Sequence, residues 1–153
     1  MRETILFIVV AGFVSMVAAS AFAQYAVPSR GDLGRVVSAK EAHSKAQSGE
    51  IVLVDIRTPE EWTETGIPAN AKAITMREGD PAFHAALAAA VGNDRSRPLA
   101  LICRTGNRST RILAELRQAG FTNLLNVAEG VAGGPHGEGW LKAGLPTRAG
   151  TRP

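Results

Sequence analysis

Leu99-Ala100-Leu101-Ile102-Cys103-Arg104-Thr105-Gly106-Asn107-Arg108-Ser109 is the stretch whose reading decides how this chain folds. Leu99 to Cys103 is a continuous apolar run, as expected for a strand buried on both faces. Gly106 then permits a tight turn, and a helical pattern starts near Asn107. This helix is expected to end at Gly120, with Ile112, Leu113, Leu116 and Ala119 on its core face. A strand that feeds a helix so directly belongs to an α/β sheet, where sites lie at the carboxyl ends of strands. Cys103 stands at such an end.

Working outward, the same grammar repeats. Val36-Val37 is a short strand, and Ser38 with Glu41 forms a capping box for a helix to about Gln47, stopped at Gly49. Ile51 to Asp55 is a second buried strand. Thr58 caps the next helix, Pro59 takes its first position, and Glu61 completes another box; Gly66 ends it. Ala71 to Ile74 reads as a weaker strand. Asp80-Pro81 opens a helix to about Val91, and Leu124 to Val127 is the last strand. Strands alternating with short helices predict a three-layer α/β fold with a mostly parallel sheet.

With 153 residues there is room for one domain, and the 45% hydrophobic content is enough to build its core. The formal charge of +3 comes without a long basic run, so nucleic acid is not an expected partner. The chain starts with Met1-Arg2 and an apolar run from Ile5 to Ala19, then Ser20-Ala21-Phe22-Ala23. That ending suits signal peptidase, so residues 1–23 read as a signal peptide cut after Ala23. The competing reading is an uncleaved anchor over Thr4 to Ala23. Both put the folded part outside the cytoplasm, in the periplasm or beyond. With the signal removed, no stable membrane insertion is expected. Residues 24–35 then form a linker, 36–148 the domain and 149–153 a tail. Export makes the single cysteine informative: it cannot form an internal disulfide, and a leftover cysteine there suggests a reactive thiol or an intermolecular partner.

The loop from Cys103 to Arg108 has the chemistry to use that thiol. Successive amides in such a turn form an anion-binding nest. The helix start adds about half an elementary charge. Arg108, five residues after the cysteine, is expected to turn its guanidinium into the same cavity. Together these favour an ionised, nucleophilic sulfur and hold the charge of a persulfide or an incoming anion.

These residues carry a resemblance. Cys103 to Arg108 is similar to the active-site loop of the rhodanese family, in which a cysteine opens a six-residue loop ending in arginine. Val54-Asp55-Ile56-Arg57-Thr58-Pro59-Glu60-Glu61-Trp62 resembles the family's strand-to-helix signature, and Trp140 to Pro146 resembles its carboxy-terminal one. The likeness runs from Val36 to Thr147. It implies a five-stranded parallel α/β/α domain that moves sulfane sulfur from a donor such as thiosulfate to cyanide or a thiol through a Cys103 persulfide. The implied partners are thus a small anionic donor and a thiophilic acceptor, with no cofactor. Amides of Arg104, Thr105, Gly106, Asn107 and Arg108 would hold the outer sulfur, and Arg104 would attract the donor. One departure stands out: Glu129 to Gly139 precedes Trp140 as an insertion of about five residues, in a loop where chains tolerate them. It is expected to border the mouth of the site.

Other residues read as support. Asp55 and Arg57 are expected to tie the strand end to neighbouring loops. Trp62 and Trp140 read as packing anchors. His43, His84 and His136 have no ligand spacing, so no metal is expected. Two further function classes use the fold that the resemblance implies. A phosphatase or arsenate reductase would carry one more loop residue to fit a tetrahedral oxyanion. A non-catalytic binding or delivery module would usually lack the cysteine. A dithiol oxidoreductase needs a second cysteine, which is absent.

Overall fold

A computed structural model describes residues 34–150. The expected signal peptide, the linker before Gly34 and the last three residues of the tail lie outside them. Five strands, β1 (Arg35–Val36), β2 (Val52–Asp55), β4 (Lys72–Ala73), β5 (Leu99–Ile102) and β6 (Leu124–Val127), form one sheet in the order β1-β6-β5-β2-β4. Every pairing in it is parallel. The two apolar runs that promised buried strands, β2 and β5, lie side by side in register, Val54 opposite Leu101. β5 is the middle strand, so the cysteine that follows it emerges at the centre of the sheet edge. β1 begins at Arg35, the last residue of the expected linker.

The helices follow their sequence signals. They are α1 (Ala39–Gln47), α2 (Pro59–Thr65), α3 (Pro81–Ala90), α4 (Asn107–Gln118) and the single turn α5 (Gly139–Lys142). At α2 the capping box is complete: the Glu61 N–H donates to Thr58 Oγ1 at 3.4 Å, and the Thr58 N–H donates to Glu61 Oε2 at 3.0 Å. At α1 only half of the expected box forms. The Glu41 N–H donates to Ser38 Oγ at 3.1 Å, but the Glu41 carboxylate pairs with Arg35 at 3.6 Å instead. The strand just upstream supplies a cation, which outcompetes a neutral amide for the carboxylate.

Alternation along the strands sorts side chains between two cores. Leu99 and Leu101 of β5 join Phe83 and Leu87 of α3 and Ile112, Leu113 and Leu116 of α4. Ala100 and Ile102 point the other way, toward Ala42 of α1, Trp62 of α2 and Trp140 of α5. This is the three-layer arrangement expected of the sequence pattern, and each fully buried Leu or Ile contributes about 1.5–3 kcal/mol. Ala119 packs only partly against the first core. Trp140 is fully buried and its indole N–H donates to the Pro146 carbonyl at 3.0 Å. That bond helps anchor a returning tail, whose β7 (Thr147–Arg148) pairs antiparallel with β3 (Ile67–Pro68). Among the described residues no helix is long and apolar enough to cross a membrane.

Candidate active site

Cys103 follows β5 directly and is 1% exposed, at the floor of the loop that leads into α4. The loop turns at Gly106, whose φ of 87° is left-handed and whose position is the N-cap of α4. Its N–H donates to Cys103 Sγ at 3.2 Å. No side chain fits there: a Cβ on Gly106 would lie 2.0 Å from the Ala128 carbonyl oxygen. The glycine therefore supplies the backbone angle, a donor to sulfur and the space for β6's exit to pass. α4 adds the unpaired amides of its first turn and the positive end of its dipole.

A hydrogen-bonded frame holds this turn. Ser109, fully buried, has its Oγ 3.7 Å from Cys103 Sγ and donates to the Gly106 carbonyl at 3.0 Å. Thr110 Oγ1 donates to the same carbonyl at 2.8 Å, and Asn126 Nδ2 of β6 donates to Thr110 Oγ1 at 2.8 Å. Behind the loop, the Val131 N–H donates to the Cys103 carbonyl and the Ala132 N–H to the Arg104 carbonyl, each at 2.8 Å. The glycine-rich insertion thus borders the site. Its tip is a tight hairpin in which Gly134 and Gly137 exchange backbone bonds of 3.0 and 3.2 Å around Pro135 and His136.

Asp55 and Arg57 sit beside the site as a buried pair, 0% and 1% exposed. Arg57 Nη2 donates to Asp55 Oδ2 at 2.7 Å and Nε to both carboxylate oxygens at 3.0 Å. The same guanidinium reaches the Gly66 carbonyl and Thr65 Oγ1, each at 2.7 Å, so it staples the end of β2 to the end of α2.

Arg108 finds a carboxylate partner on α2. Both its terminal nitrogens are held by Glu61: Nη1 donates to Oε2 at 2.8 Å and Nη2 to Oε1 at 2.6 Å. The Glu61 hydrogen bond is the largest cause that raises the Arg108 pKa; burial opposes it, and the Glu61 charge, with smaller contributions from nearby Cys103 and Asp55, adds to it. Burial works to raise the Glu61 carboxyl. The Arg108 and Thr58 hydrogen bonds, with the charges of Arg108 and Arg57, outweigh it and hold the carboxyl below its ordinary 4.5. In the sequence Glu61 stands out as a helix cap within the Val54–Trp62 signature, with nothing to mark it as a partner of Arg108, and Ser109 carries no signal of its own. A separation of 47 residues between Glu61 and Arg108 leaves no local pattern to find.

Arg104 and Asn107 are exposed and Thr105 is half-buried, all on the loop with Cys103. The histidines lie apart. His43 meets the Trp140 ring edge-on at 5.4 Å, His84 Nε2 lies 2.6 Å from Glu115 Oε1, and His136 is exposed at the hairpin tip.

A cysteine at the centre of a parallel sheet's carboxyl edge, facing a glycine turn and a helix N-terminus, defines an α/β domain with a cysteine loop. The chain belongs to the rhodanese-like domain family, whose profile matches residues 38–134. It is 29% identical over 119 residues to thiosulfate sulfurtransferase 16, chloroplastic, of Arabidopsis thaliana, covering 74% of this chain and 92% of that one. Among solved structures, the 30 kDa polysulfide-sulfur transferase homodimer of Wolinella succinogenes superposes with a TM-score of 0.55 at 27% identity, covering 76% of this chain and 79% of that one. Rv0390 from M. tuberculosis gives a TM-score of 0.57 at 27% identity, covering 76% and 98%.

Proposed function

We propose that this protein is a sulfurtransferase that carries sulfane sulfur on Cys103. The observation that carries the reading is the lone thiol at the floor of the loop, with the Gly106 N–H 3.2 Å from its sulfur. In the first half-reaction the Cys103 thiolate attacks the outer sulfur of a donor such as thiosulfate. The donor's S–S bond breaks, sulfite leaves with the bonding pair, and a Cys103 persulfide remains. In the second, cyanide or a thiolate attacks the outer sulfur, and the Cys103 thiolate leaves. The loop amides from Arg104 to Arg108 bind the outer sulfur's charge, and the exposed Arg104 draws in the anionic donor. With the thiol 1% exposed at the floor of the loop, a donor must present its outer sulfur into the loop to react. Names of two relatives, a thiosulfate sulfurtransferase and a polysulfide-sulfur transferase, support the same reaction class.

A phosphatase or arsenate reductase is less well supported. Four residues separate Cys103 from Arg108, a short cradle for a tetrahedral oxyanion, and Arg108 is already paired with Glu61. A non-catalytic module has no use for so carefully framed a thiol. The apolar leader with its Ala21-Phe22-Ala23 ending supports export, so we place the reaction in the periplasm or an equivalent compartment. The test is intact mass after incubation with thiosulfate. The mass should rise by one sulfur atom, return on adding cyanide, and stay unchanged in C103S. No mass gain by the native chain would overturn the reading.

A further inference from the structure

Around Cys103 the charges are arranged in matched sets. Arg57 faces Asp55 and Arg108 faces Glu61, both at hydrogen-bonding distance. Of the two arginines in the Cys103–Arg108 loop, Arg104 alone has no ionic partner among the described residues. The Glu61 carboxylate is fixed from both sides. Its Oε2 accepts the Thr58 N–H of its own helix cap as well as Arg108 Nη1, and its Oε1 accepts Arg108 Nη2. The pair is sheltered, with side chains 15% and 29% exposed for Glu61 and Arg108. So the arginine that closes the loop presents a fork already filled by a carboxylate anchored to α2.

We propose that Glu61 is a specificity-determining residue of the Cys103 site: by engaging both terminal nitrogens of Arg108 it withholds that guanidinium from tetrahedral oxyanions. A phosphate-like ligand needs the planar fork of an arginine, two parallel N–H donors to two oxygens. Here it would meet a carboxylate in that fork, and two anions at close range in a sheltered site repel strongly. A persulfide asks less. It adds one charged sulfur, which backbone amides such as Gly106 N–H can hold without any guanidinium. The inference deepens the sulfur-carrier reading and rests on it for its biological sense. Loop length and the Glu61 clamp then act together against oxyanions.

The cap chemistry provides a clean variant. Gln at the third helical position also completes a capping box, so E61Q keeps the Thr58 contact while removing the charge that occupies Arg108. Cys103 is the single cysteine, so alkylation by iodoacetamide, followed by intact mass, reports one site. The full chain is alkylated in rising inorganic phosphate. In the native protein phosphate should leave the rate nearly unchanged. In E61Q, half-protection should come at a phosphate concentration at least about tenfold lower, equivalent to about 1.4 kcal/mol. E61D, which keeps a carboxylate, should restore indifference to phosphate, and E61Q/R108A should lose the gained protection. E61A serves as a second neutral variant if E61Q does not fold. Equal phosphate sensitivity in native and neutral variants would overturn the proposal, as would protection that survives loss of Arg108. The readout involves no sulfur transfer. A negative persulfide assay with positive protection therefore sinks only the sulfurtransferase reading, and the reverse result sinks only the role of Glu61.

Discussion

Replacing Gly106 by alanine should disable the site far more than it destabilises the fold. A Cβ at 106 would lie 2.0 Å from the Ala128 carbonyl oxygen and 2.8 Å from its carbon, whereas real contacts stay above 3.0 Å. Both neighbours are backbone, so no side chain can turn away. Either the Cys103 loop or the turn after β6 must shift by about 1 Å, and the two are joined through the β5–β6 ladder. The left-handed backbone adds about 1–2 kcal/mol and the overpacking about 1–3 kcal/mol, so G106A should lose about 2–5 kcal/mol of unfolding free energy. A displacement of about 1 Å at the reacting atoms costs on the order of 100-fold in rate. Sulfur transfer from thiosulfate to cyanide should fall by that factor under conditions where urea titration finds G106A folded. The control is G49A, where φ is 76° but nothing lies within 4 Å of a new Cβ. It should lose only about 1 kcal/mol, with unchanged activity. If G106A loses no more activity than G49A, the steric argument for this turn is wrong.

Two further outcomes follow from the charged pairs. R57L leaves the fully buried Asp55 without its partner and should cost about 3–5 kcal/mol in urea unfolding followed by tryptophan fluorescence. D55L/R57L should recover most of that loss, and a double variant as unstable as R57L would refute the pairing argument. Glu61 contributes to pH dependence with a defined sign. Its folded carboxyl lies below the ordinary 4.5, so the stability it adds is complete above that value and is lost as pH falls through the lower folded one. Unfolding free energies measured from pH 6 downward should therefore fall less steeply in E61Q than in the native chain.

Much of the fold was legible along the chain because its signals are local. The apolar runs at Val52–Asp55 and Leu99–Ile102, the Thr58 and Asp80 caps and the glycine stops depend on neighbours within a few residues. The β3–β7 pair and α5 were not read, since two-residue strands and a single turn carry no periodicity. At α1 the motif was right but its carboxylate had a better partner in Arg35.

By itself the sequence determined that a buried strand delivers one cysteine to a glycine turn and a helix start, because each of those features is encoded within eleven consecutive residues. Only the tertiary structure decided which charges share the space around that sulfur. It set Arg108 against Glu61 from another helix, and placed Ser109 and the Gly106 N–H around the thiol. Glu61 and Arg108 stand 47 residues apart, and a linear pattern holds no record of their distance in space. Around the thiol, the directions of nearby donors depend on how the loop closes against its neighbours.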